Sequence, residues 1–93
     1  MTIGLLNIDF LVPEARSLKD KRRVLRSVKD QVRARFNCAI AETEHQDLWQ
    51  RGRLSVVVVS GDSHHANSQL NEILHFVESR LGANIADCQI ELL

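Results

Sequence analysis

In the stretch "IGLLNIDFLV" (3–12), Leu6, Ile8, Phe10 and Val12 fall on one side while Leu5, Asn7, Asp9 and Leu11 fall on the other. A period of two predicts a strand, and Pro13 closes it. Asp20 follows Ser17 by three residues, the spacing of a capping box, and announces a helix. Leu25, Val28, Val32 and Phe36 then recur at three- and four-residue steps, so the helix is expected to run to about Arg35. "CAIAETEH" (38–45) reads as a second strand, "QDLWQ" as a turn, and "RGRLSVVVVS" (51–60) as the most β-prone run of the chain. "GDS" supplies a break and an N-cap. Ala66, Leu70, Ile73, Leu74, Val77 and Leu81 then stand at helical spacing, with Gly82 as the C-terminal cap. "NIADCQIELL" (84–93) is the last strand.

The order β-α-β-β-α-β predicts an α+β, ferredoxin-like domain over residues 1–93, a four-stranded antiparallel sheet with both helices on one face. The first and third strands belong in the middle and the second and fourth at the edges. Charge suggests a register for the middle hairpin: Glu44 opposite Arg51 and Glu42 opposite Arg53, two cross-strand pairs in one alignment. That alignment puts Ala39, Ala41, Leu54, Val56 and Val58 under the helices. It leaves Cys38, Ile40, Val57 and Val59 on the open face. With Leu5 and Leu11 these make an apolar patch bordered by Asn7, Asp9, Asp87 and Glu91. Leu5, Leu11, Ile40, Val57 and Val59 are therefore the expected contact face of a homodimer, against the alternative of scattered surface aliphatics.

The first helix changes the picture most. Residues 16–36 hold nine of the twelve lysines and arginines of a chain whose net charge is zero. Residues 1–15 carry −2, residues 16–35 carry +7 and residues 36–93 carry −5. With Leu18 at zero and a 100° step, Val24, Leu25, Val28, Val32 and Phe36 lie between roughly 240° and 360°. Lys19, Arg22, Arg26, Lys29 and Arg33 lie between roughly 20° and 100°, one continuous ridge. Lys21 and Arg35 sit near the apolar edge and are expected to reach past it with buried stems. Like charges at these spacings weaken a helix slightly, and only Asp30 is placed to relieve them. The ridge suits a row of RNA phosphates, an acidic protein surface or, less well, anionic lipid; it also suits a merely solvated face.

Composition narrows the classes. At 44% hydrophobic and 26% charged the chain reads as an ordinary globular domain. Its aromatics are only Phe10, Phe36, Trp49 and Phe76, so the core is expected to be aliphatic. No charged n-region with a long apolar run is visible, and the strongly apolar run at 56–59 is far too short to span a membrane. A cytoplasmic location is expected. Cys38 and Cys88 lack a CxxC pattern and read as free, buried thiols.

No enzyme constellation emerges, and no catalytic residue is assigned. An acylphosphatase-type site needs a glycine-rich loop after the first strand; here that loop is "PEARS", with Arg16 but no glycine. An RRM-like platform needs stacking aromatics on the first and third strands, where this chain has aliphatics. His64 and His65 are neighbours that point apart on a helix, so no metal site is expected, and no cofactor. Glu42 and Glu44 share a strand with arginines opposite, which keeps both ionised and unsuited to acid catalysis. Arg16 and Ser17 at the helix start form a candidate small-anion site.

"SLKDKRRVL" (17–25), "RFNCAIAE" (35–42) and "DLWQR" (47–51) resemble the motifs of the YlxP-like proteins, a family of small bacterial proteins of unknown function. The matching positions are Ser17, Leu18, Lys19, Lys21, Arg22, Phe36, Asn37, Glu42, Trp49 and Arg51. The resemblance implies a ferredoxin-like fold, a cytoplasmic bacterial protein and genes set beside translation-initiation and ribosome-maturation factors. It carries no catalytic residues. Together with the ridge it favours contact with RNA or ribosomal phosphates through Lys19, Arg22, Arg26, Lys29 and Arg33. The alternative is a homodimeric adaptor for an acidic protein or a small anion. Trp49 is expected to anchor the hairpin end.

Overall fold

The alternation in residues 3–12 becomes strand β1, Thr2–Leu11, in a computed structural model that describes residues 1–81 and 84–93. Helix α1 spans Leu18–Arg35, β2 Ala39–Glu44, β3 Arg51–Ser60, α2 Ser63–Leu81 and β4 Ile85–Leu92. The strands run antiparallel in the order β2-β3-β1-β4, so β3 and β1 are central, as the split βαβ pattern requires. The C-terminal cap expected at Gly82 lies outside the described residues.

The core is built from one face of each central strand and one stripe of each helix. Leu6, Ile8 and Phe10 of β1 and Leu54, Val56 and Val58 of β3 lie beneath Leu25, Val28 and Val32 of α1. Ala66, Leu70, Ile73 and Val77 of α2 complete that layer, and all of these are buried. Removing such side chains from water at about 25 cal/mol per Å2 is the main force holding the helices down. Phe36 and Phe76 close the far end edge-to-face with ring centroids 5.8 Å apart, and the guanidinium carbons of Arg35 and Arg80 each lie 4.8 Å from the Phe76 centroid. Arg35 thus turns toward α2 and away from the basic ridge.

Both helix starts are capped as their sequences suggest. Ser17 Oγ accepts from the Asp20 amide at 3.1 Å, and Asp20 returns a carboxylate oxygen to the Arg16 amide at 3.1 Å. Asp62 Oδ1 accepts from the His64 amide at 3.1 Å.

The hairpin register departs from the charge-pairing expectation by one residue. Ala39 faces Val57, Ile40 faces Val56 and Glu42 faces Leu54; the register then shifts so that Glu44 faces Arg53. A one-residue slip exchanges the two faces of a strand. Ile40 is therefore buried under the helices and does not belong to the open face, and Cys38 packs against the core on the same side. Ala39 and Ala41 take the open side. Energetics explain the choice. Burying an isoleucine is worth about 1.5–3 kcal/mol, whereas an exposed cross-strand charge pair is worth about 0.2–1 kcal/mol. The expected pairs Glu42–Arg53 and Glu44–Arg51 give way to Glu42 with Lys21 and Arg53 with Asp9.

The expected apolar patch is also interrupted. Leu5 faces Val57 and Ile3 faces Val59, but Asn7–Ser55 and Asp9–Arg53 come next along the same face before Leu11 is reached. Thr43, Ser55 and Asn7 are linked by hydrogen bonds of 2.7 and 2.6 Å, a polar band across three strands. Leu11, though exposed, is separated by that band from the apolar end, where Val59 is 66% exposed.

Candidate nucleic-acid interface

Helix α1 lies over the β2 side of the sheet, which leaves its ridge along one long edge of the molecule. Lys19, Arg22, Arg26 and Arg33 are exposed and Lys29 is half-buried. Three ion pairs occur among the described residues: Lys21–Glu42, Arg53–Asp9 and Arg33–Asp30. Of the five ridge residues only Arg33 enters one, at 3.6 Å with both side chains at least half exposed, and it also donates to the Ile40 carbonyl at 2.9 Å. Lys19, Arg22, Arg26 and Lys29 have no carboxylate within ion-pair distance among the described residues. Two shallow depressions follow the ridge, one lined by Lys19, Arg22, Arg23 and Arg26, the next by Arg22, Leu25, Arg26, Lys29 and Glu42. Arg23, outside the predicted arc, is exposed and joins the first of them.

Lys21 behaves differently from its expectation. Its side chain does not reach out past the apolar edge; it is fully buried. The ammonium donates to the carbonyls of His45 at 2.7 Å and Arg51 at 2.8 Å and to that of Leu48, and lies 2.7 Å from Glu42 Oε2. Two of these carbonyls, those of His45 and Leu48, belong to the β2–β3 connection, and the third, that of Arg51, opens β3. An ammonium is stable inside a fold only when its donors and its charge are both answered, and here they are. At roughly 100° per residue Lys21 falls near 300°, in the middle of the apolar arc and not at its edge as expected, a signal that its head meets protein rather than water.

The connection itself is shaped around this contact. His45 has φ 62°, in the left-handed region, and its carbonyl accepts from the Leu48 amide at 3.0 Å as well as from Lys21. Gln50 closes the far side: its carbonyl accepts from the Val12 amide at 2.9 Å and its side-chain amide reaches the carbonyls of Pro13 and Ala15 at 3.3 Å. Gly52 makes room beneath. A Cβ there would collide with the Phe10 ring and stand 3.0 Å from Glu42 Oε2. Trp49, expected to anchor the hairpin end against a helix or a dimer mate, is 45% exposed and stands outside the buried core, with Leu48 beside it 46% exposed.

The remaining candidates are placed as follows. The Arg16 amide and the Ser17 hydroxyl take part in the α1 cap, with the Asp20 carboxylate accepting from that amide, while the Arg16 side chain is exposed. Cys38 is half-buried, which raises its thiol pKa against the nearby Arg33 charge, and Cys88 is exposed, not buried as expected; both are free. Among the described residues no group of three metal-ligating side chains converges. No described helix is long and apolar enough to cross a membrane.

The family model for "Protein of unknown function (DUF503)" matches residues 3–90. The chain belongs to this family. The DUF503 assignment agrees with the YlxP-like motifs: the uncharacterized protein YlxP of Bacillus subtilis (strain 168) is 34% identical over 77 residues, spanning 83% of this chain and 84% of YlxP. Among solved structures, Rv0793 of Mycobacterium tuberculosis is similar with a TM-score of 0.57 and 16% identity, over 100% of this chain and 93% of that one. A de novo designed protein with ferredoxin fold gives 0.56 and 17%, over 100% and 83%. Identities this low show the fold alone, and the fold is the ferredoxin-like one predicted for this DUF503 chain.

Proposed function

We propose that the protein is a non-enzymatic accessory factor that contacts RNA phosphates, free or on the ribosome, through Lys19, Arg22, Arg26, Lys29 and Arg33. One observation carries this reading: four of those five cations have no carboxylate of the described chain at ion-pair distance, along a ridge about 21 Å long. A field left unneutralised attracts anions and releases counterions when phosphates replace them. Binding measured over a salt series should weaken steeply, and Arg22→Glu, Arg26→Glu and Lys29→Glu together should abolish it. A triple variant that binds RNA normally overturns the proposal.

A second reading concerns assembly. Ile3, Leu5, Val57 and Val59 form an apolar end on the open sheet face, and Val59 is 66% exposed. The whole open face measures roughly 19 Å by 33 Å from strand spacing and rise, less than the ~800 Å2 that each partner of a stable dimer buries, so a mate would have to cover the polar band as well as the apolar end. A second copy covering this face is the occupant that reading selects. Sedimentation of Val59→Glu against the parent should show dissociation; a parent that is monomeric at micromolar concentration ends the reading.

A further inference from the structure

The four aromatic side chains do unequal work. Phe10 is fully buried, and Phe36 and Phe76 pack against the core. Trp49 does neither. It stands in the β2–β3 connection with nearly half its surface in water, although that connection is fixed through its backbone by Lys21 and Gln50 and needs no indole to hold it. An indole with nearly half its surface left in water keeps a large flat apolar face available to a ligand.

Its location says what that use is. The Leu48 carbonyl, which is half of the Leu48–Trp49 peptide, is bonded to the buried ammonium of Lys21. Arg22, the next residue along α1, lines both depressions of the ridge, and Glu42, the carboxylate beside that same ammonium, lines the second. The turn that carries Trp49 and the N-terminal half of the ridge therefore share one end of the molecule, tied through the buried Lys21 ammonium. A row of cations beside an exposed indole suits a chain whose phosphates and flat rings are both available. Base–aromatic stacking is open to every base but only where bases are unpaired.

We propose that Trp49 is a stacking platform at the end of the basic ridge, and that the ligand is accordingly single-stranded RNA. This rests on the ridge reading and adds the ligand's form to it. The experiment uses the full chain with four probes: a short oligouridylate, the same strand paired with oligoadenylate, inorganic polyphosphate and polyglutamate. Trp49 is the only tryptophan, so intrinsic fluorescence reports on it alone. Oligouridylate should bind more tightly than the duplex and quench the emission, while polyphosphate binds with a similar salt slope and leaves the emission unchanged. Trp49→Ala should lose about tenfold in affinity for the single strand, near the lower part of the range for one stacked base. It should keep its affinity for polyphosphate, and Trp49→Phe should retain most of the single-strand affinity. Oligouridylate that binds without quenching, or equally well to Trp49→Ala, overturns the platform and leaves the ridge standing. Polyglutamate that quenches as oligouridylate does also overturns it, in favour of an acidic protein. No binding of any polyanion removes both.

Discussion

Two ion pairs of nearly the same length sit on opposite faces of the sheet. Lys21 and Glu42 meet at 2.7 Å on the helix side, Arg53 and Asp9 at 2.8 Å on the open side. Their surroundings differ. The Lys21 side chain has no exposed surface and Glu42 keeps 14%, whereas Arg53 and Asp9 keep 31% and 22%. Water screens the second pair and reaches the first only at the Glu42 carboxylate, never at the Lys21 ammonium. The first also closes a structural circuit, since its ammonium collects two carbonyls from the connection that follows β2 and a third from the first residue of β3. What the comparison teaches is that distance alone does not rank these contacts; what each partner would face if left alone does.

The largest effect follows at once. Lys21→Ala strands three carbonyls and the Glu42 carboxylate, and removing one member of a buried pair costs about 3–5 kcal/mol. Urea denaturation should show it as a fall in midpoint at unchanged slope. Pairing Lys21→Met with Glu42→Gln, which takes out both charges and keeps the apolar stem, should recover a good part of the loss. If Lys21→Ala alone is nearly neutral, the two pairs are alike and the contrast fails.

Gly52→Ala approaches the same contact from below. The new methyl group meets the Phe10 ring and the Glu42 carboxylate, and overpacking of this kind costs about 1–3 kcal/mol. The same change should loosen the 45–51 connection, read as faster amide exchange at Leu48 and Val12, whose bonds to His45 and Gln50 close it.

Asp9→Asn tests the exposed pair, and its effect should be small and tied to pH. The hydrogen bond from Arg53 is the main cause that lowers the Asp9 pKa below its ordinary 3.8; partial burial opposes it, and the charges of Arg53, His45 and Arg51 add to it. A carboxylate depressed in the folded state adds stability that is present above pH 3.8 and is lost as pH falls through the folded value. The parent should therefore exceed Asp9→Asn in thermal midpoint at neutral pH, with the gap closing as the solution is acidified below that ordinary value. A gap that widens on acidification would reverse the assignment.

Smallest of all for stability is the ridge. Reversing Arg22, Arg26 and Lys29 should alter unfolding free energy by no more than roughly 0.5 kcal/mol per site, the range of isolated surface changes. Function and stability should separate there, as they should not at Lys21.

Much of this was legible in the residues, for reasons that differ by position. The strands and helices follow from hydrophobic periods, and both N-caps from Ser17–Asp20 and Asp62, since local chemistry decides them. The β2–β3 register does not follow from charge. Glu42 and Glu44 each had an arginine to face, and the burial of Ile40, a tertiary demand, outweighed both. Lys21 carried its signal in its angle on the helix, but no local pattern names the three carbonyls that receive it, because they arrive from 24 to 30 residues away. The ridge was plain from spacing alone. The exposure of Trp49 was not, because whether a turn residue lies in or out depends on what else fastens the turn.

That fastening has a consequence for variation. Lys21 grips the β2–β3 connection by peptide oxygens, which every amino acid supplies, so its hold is blind to the side chains displayed there. Exchanges within 46–49 at constant length, short of a proline at 48 where the amide bonds His45, should leave the tip at its address beside α1. The molecule thus carries an interchangeable fitting on a fixed mount.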